Sequence, residues 1–97
     1  MILFDITRIR VDLLPVHMRR PILDWLLKAE PHPNDMGTFF FAVLTNRFVE
    51  AFLYADDANL RGIRGWANFL HNEMPSDAWG SKAKLLRWYE SKHANVN

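Results

Sequence analysis

The sequence predicts an all-α fold, a compact bundle of four to five short helices with an extended N-terminal arm. Three observations carry this. Apolar residues recur at three- and four-residue intervals through much of the chain, proline stands just beyond residues 30 and 74, and Asp, Asn or Ser precedes several of the periodic stretches. That combination marks helix bodies, stops and N-caps. The competing class is α+β, with a short strand at the N-terminus or at residues 38–45, where "TFFFAVLT" is too short and too apolar for period alone to decide.

Residues 1–14 alternate as Ile2/Phe4/Ile6 and then Ile9/Val11/Leu13 with a phase change between, which reads as an extended arm or short strand. Pro15 and Pro21 bracket the start of a first helix over residues 17–30, with Ile22, Trp25, Leu26 and Ala29 on one face. In residues 38–55 Phe40, Val43 and Leu44 share a direction that Arg47, Glu50 and Tyr54 occupy further on, while Phe48, Val49, Phe52 and Leu53 lie opposite. One straight helix with one buried face cannot satisfy both halves. Either the helix breaks near Thr45–Asn46, with Asn46 capping the second piece, or it is buried all round. Asp56 or Asp57 caps the next helix, which runs to Met74 with Leu60, Ile63, Ala67, Leu70 and Met74 as its core stripe. Gly80 then suits a left-handed turn, and Ser81 caps a last helix with Leu85, Leu86 and Tyr89 inward.

Ninety-seven residues make a single domain, divided as arm 1–14, helical core 15–93 and tail 94–97. A chain of this size buries roughly 60 to 68% of its unfolded surface, enough for a core without disulfide or metal. There is no cysteine, which excludes disulfides, thiolate nucleophiles and Cys-ligated zinc and suits a reducing cytoplasm. Asp5, Arg8, Arg10 and Asp12 interrupt the apolar N-terminus, so the reading is a cytoplasmic protein with neither signal peptide nor membrane span. The net charge of +1 argues against dominance by phosphate contacts.

Catalytic chemistry is not recognisable in the residues. His17, His32, His71 and His93 stand in no metal-ligand spacing, and no phosphate loop, nucleophile elbow or Ser/His/Asp order occurs. Adjacent Asp56 and Asp57 do not face each other on a helix and serve better as cap and dipole partner. The expectation is no enzyme, no cofactor and no metal.

Binding has better candidates. On the last helix Lys84, Arg87 and Lys92 accompany Trp88, a basic aromatic group suited to an acidic protein patch or to phosphates and a stacked base. The words "RGIRG" place two glycines in Gly-x-x-Gly spacing, the literal pattern of the KH-domain clamp. The apolar period passes through both glycines without losing phase, which makes them part of a helix. Ala58, Gly62, Gly65 and Phe69 then form a small-residue face that a second helix, from this chain or another, could approach closely, while Arg61, Arg64, Asn68 and His71 make a polar strip beside it.

From Leu13 to Lys92 the words "AVLTN" (42–46), "EAF" (50–52), "ADDAN" (55–59), "FLHNEMPSDAWGS" (69–81) and the later Trp88 resemble a group of small proteins encoded by bacteriophages and prophages. The resemblance implies a setting, a bacterial cytoplasm, and a partner class, a host or defence protein such as a CRISPR component whose surface is covered. It implies no chemistry. The expected function is a non-enzymatic protein-binding accessory module acting through Arg61, Arg64, Asn68 and the Lys84, Arg87, Trp88, Lys92 helix. A small helical nucleic-acid binder is the alternative, and the arm and glycine face leave a homodimer open.

Overall fold

Pro15 sets the start of the first helix. Its φ of −54° and ψ of 147° place it as the extended residue before α1 (Val16–Lys28), where a missing N–H costs nothing because the first turn has no acceptor for it. In the computed structural model, which describes residues 6–94 apart from the Ile6 side chain, five further helices follow. They are α2 (Thr38–Leu44), α3 (Phe48–Tyr54), α4 (Asp57–Arg61), α5 (Ile63–Asn72) and α6 (Lys82–His93). No strand occurs among the described residues, so the all-α class holds and the strand at residues 38–45 is replaced by α2.

Two details depart from the sequence reading. The arm is not extended where it is described: Ile6–Arg8 and Val11–Leu13 are 3-10 turns, the second closed by the Leu14 N–H on the Val11 carbonyl at 2.9 Å. Residues 1–5 of the arm and 95–97 of the tail lie outside the described residues. Pro21 lies inside α1, within the first helix expected over residues 17–30; early in the helix its ring removes one intrahelical bond, and buried Ile22, Trp25, Leu26 and Ala29 hold the remainder to the core. The helix expected from Asp56 or Asp57 to Met74 is two pieces, α4 and α5, which meet at Gly62.

The break after α2 is where the apolar phase changes. Asn46 takes a left-handed φ of 61°, its N–H reaches the Val43 carbonyl at 3.1 Å, and the Arg47 N–H reaches the Ala42 carbonyl at 2.8 Å. That bond pair is a Schellman C-terminus. Asn46 therefore ends α2 and does not cap α3, whose N-cap is Arg47 without a side-chain bond. Buried Thr45 completes the stop, its hydroxyl donating to the Phe41 carbonyl at 2.7 Å.

The expected caps at Asp56 and Ser81 are present, accepting from the Asn59 and Lys84 N–H groups at 2.8 and 3.2 Å. Gly80 has the expected positive φ, 120°, and its N–H donates to the Leu44 carbonyl at 2.7 Å. Leu85 is buried, with Leu86 and Tyr89 half-buried beside it.

Two tryptophans fill the core. Trp25 and Trp66 are 0% and 1% exposed, and each indole N–H has a partner, the Ala78 carbonyl for Trp25 and the Asn59 side-chain oxygen for Trp66, both at 2.9 Å. Phe39 meets Trp66 edge to face with centroids 5.7 Å apart, a favoured arrangement for aromatic quadrupoles. Among the described residues no buried side-chain polar atom lacks a hydrogen bond. A radius of gyration of 12.9 Å is that of one packed unit, since a compact chain of this length has about 13 Å.

The core stripe expected on residues 60–74 is rotated. Trp66, Phe69, Leu70 and Met74 are buried, but Ala67 and Leu60 are exposed and Ile63 is half-buried. The small-residue face points inward. A Cβ at Gly62 would stand 3.1 Å from the Pro15 ring, and one at Gly65 would overlap the Leu13 carbonyl oxygen. What approaches the glycines is thus the N-terminal segment of the same chain, not another helix or a second copy. Gly65→Ala should lower stability by roughly 1 to 3 kcal/mol by overpacking, against the gain of about 1 kcal/mol usual for such a change in a helix; urea unfolding reads the sign.

Asp56 supplies a second check. The Asn59 N–H and then the nearby His17, whose Nε2 lies 2.9 Å from the carboxylate, hold its pKa below the ordinary 3.8. Its ionised form therefore stabilises the fold above that pH, and the contribution fades as pH falls through the lowered value. Asp56→Ala should be less stable than the parent near neutral pH, and the gap in urea midpoint should narrow on acidification below the carboxylate range.

Candidate protein-binding surface

The rotation of α5 has a consequence on the opposite flank. With Trp66 and Phe69 directed into the core, Ile63, Ala67 and Leu70 form one wall of a cleft of about 310 Å³. The other wall is Ala42 and Val43 of α2 with Phe48, Ala51 and Phe52 of α3. The lining is apolar apart from Asn46, Arg47 and Arg64.

Beyond the cleft the apolar surface continues outward. Phe48, Val49, Phe52 and Leu53 are 62, 69, 50 and 72% exposed, and Ala51 is the one buried residue of α3. The reason is local. "FVEAFLY" carries apolar side chains around most of its circumference, and a seven-residue helix that contacts the core along one line leaves the others in water. Tyr54 and Leu60 are also exposed, at 55 and 45%. Isolated exposed apolar residues are ordinary, but a contiguous set on one helix marks an interaction surface.

The charges at this surface are of one sign within the cleft. Arg47 and Arg64 are exposed, and neither guanidinium has an ion-pair or hydrogen-bond partner among the described residues. Arg61, one turn before Arg64, is also exposed and unpaired. Among the described residues no carboxylate lines the cleft.

The structure separates the residues singled out from the sequence into three places. Arg61, Arg64, Asn68 and His71 are all exposed, with Arg64 at the cleft. Gly62, Gly65 and buried Phe69 face inward, with half-buried Ala58 at the edge. Lys84, Arg87 and Trp88 meet around a second cleft of about 280 Å³ with Asp77 and Ser91. There the Lys84 ammonium donates to the Ser76 carbonyl at 3.3 Å, the Trp88 N–H donates to the Trp25 carbonyl at 2.9 Å, and Lys92 lies over the Trp88 ring at 4.7 Å from its centroid. Trp88 is thus half-buried and tied to α1, with a cation over its ring. Such a setting leaves little room to stack a base on that face.

His17, His32 and His93 serve the fold, His17 through Asp56. His93 Nε2 lies 3.1 Å from the Lys28 carbonyl at the end of α1, and His32 packs edge to face on Tyr89 with centroids 4.7 Å apart. No group of three or more His or acidic side chains able to hold a metal occurs among the described residues. Among the same residues no helix is long and apolar enough to cross a membrane.

Sequence reasoning named Arg64, which lies at the cleft, but not Arg47 or the apolar patch. The signal was present: the phase change in residues 38–55 left more apolar directions than one buried face could use. Comparison with protein-family models, curated proteins and solved structures finds no match for this chain.

A Val49→Ser, Leu53→Ser double substitution should leave the urea midpoint within the narrow range typical of surface changes, about ±0.5 kcal/mol per site, although it removes two large apolar side chains. The same pair of residues buried in a core would cost several kcal/mol.

Proposed function

We propose that this chain is a non-enzymatic protein-binding module that holds an apolar segment of another protein on α3 and in the cleft between α2, α3 and α5. The observation that carries this reading is the continuous apolar surface from the cleft onto Phe48, Val49, Phe52 and Leu53. A small domain leaves such a surface in water at a cost in solubility, and burial against a partner recovers the hydrophobic free energy. Arg47 and Arg64 border it with unpaired charge, which orients a partner and speeds encounter. The resemblance to phage-encoded proteins supports a bacterial host or defence protein as the partner class, reached in the cytoplasm and inhibited by surface occlusion, a CRISPR component being one example.

The test is affinity capture from bacterial lysate with nuclease present, comparing the parent with the Val49→Ser, Leu53→Ser variant and with a Lys84→Ala, Arg87→Ala variant. One protein, recovered in near-stoichiometric amount by the parent and the second variant but lost by the first, supports the reading. Recovery of nuclease-sensitive material alone, or loss confined to the Lys84/Arg87 variant, moves function to the basic face of α6 and overturns it.

A further inference from the structure

Building on the protein-binding reading, we propose that the occupant of the cleft is an acidic amphipathic helix of the partner, its apolar side lying between α3 and α5 and its flanking carboxylates paired with Arg47 and Arg64. Four observations lead there. The walls are side chains of α-helices and no strand occurs among the described residues, so an extended peptide finds no strand edge to pair with. A helix needs none, because its own backbone is already satisfied and it docks through apolar anchors one turn apart.

Charge narrows the occupant further. Among the described residues the two charged members of the lining are both arginines, both unpaired, and they stand on opposite walls, Arg47 at the start of α3 and Arg64 in the first turn of α5. An apolar ridge flanked by carboxylates meets a guanidinium on each side, whereas a lysine-flanked ridge meets repulsion on both.

Size argues against a small amphiphile. A molecule filling the 310 Å³ cleft would leave Val49 and Leu53, 69 and 72% exposed and outside the lining, still in water. A helix lying along α3 covers both. A second copy of this chain fits less well, since a two-fold contact presents the same patch from each side. It would bring the arginine-bordered clefts together, with no carboxylate among the described residues of either lining to answer them.

The experiment uses two synthetic peptides of the same length with Leu at helical one-face spacing, one flanked by Glu and the other by Lys, each carrying a fluorophore for anisotropy titration with the full chain. The Glu peptide should bind at least about tenfold tighter than the Lys peptide at low salt, with the difference shrinking as salt rises. An Arg47→Glu, Arg64→Glu variant, altered only at exposed positions, should reverse the order, and Val49→Ser, Leu53→Ser should weaken both peptides. Equal binding of the two peptides, or an unchanged order in the charge-reversed variant, overturns the acidic helix. Binding of neither peptide by a chain that still captures a protein through Val49 and Leu53 overturns it too, while leaving the protein-binding reading intact. Sedimentation of the chain alone as a dimer that Leu53→Ser dissociates would assign the surface to a second copy and overturn the proposal.

Discussion

Trp25 lies within the bundle with no exposed surface, and its two polar links join segments far apart in the chain. Its indole N–H reaches the Ala78 carbonyl, and its own carbonyl receives the Trp88 N–H, each at 2.9 Å. An indole buried without a partner would leave a desolvated donor at a cost of about 1–3 kcal/mol, so the loop at Ala78 and helix α6 must both be seated for α1 to pack. Buried Leu85 and the Gly80 N–H on the Leu44 carbonyl then tie α6 and its turn to α2. Few of these ties are local in sequence.

The second constraint is the approach of residues 10–15 to α4 and α5. Pro15 meets Gly62, the Leu13 carbonyl meets Gly65, and the Arg10 N–H donates to Glu73 at 3.0 Å. The segment thus runs antiparallel along α5, which it can do only where side chains are missing. Gly62 also separates α4 from α5, and the Trp66–Asn59 bond closes across that break. This contact selects which side of α5 faces inward.

The cleft follows from that selection. Once Gly65, Trp66 and Phe69 belong to the interior, Ile63 and Ala67 are left against α2 and α3, and Ala51 is the one buried residue of α3. Because Asn46 turns the chain sharply at the end of α2, α3 cannot continue the buried line of Phe40, Val43 and Leu44. Its aromatic and aliphatic side chains face outward as a result. The patch is thus a product of the same backbone turn that lets α2 pack.

Much of this was legible in the residues themselves. Helix propensity, the Asp56 and Ser81 caps, the left-handed Gly80 and the phase change near Thr45–Asn46 are local properties, set by backbone sterics and short-range hydrogen bonds, and they determined an all-α chain broken after α2. Arg64 could be named as a surface residue on the same grounds. The side of α5 that is buried could not, because two of its faces are non-polar and a wheel of angles ranks neither. Only the tertiary structure decided that, through a carbonyl fifty residues away that fits against Gly65 and nothing larger. The exposed face of α3 was decided in the same way: a small domain has too little interior to cover every apolar side chain, and which ones are left in water depends on how the other helices pack.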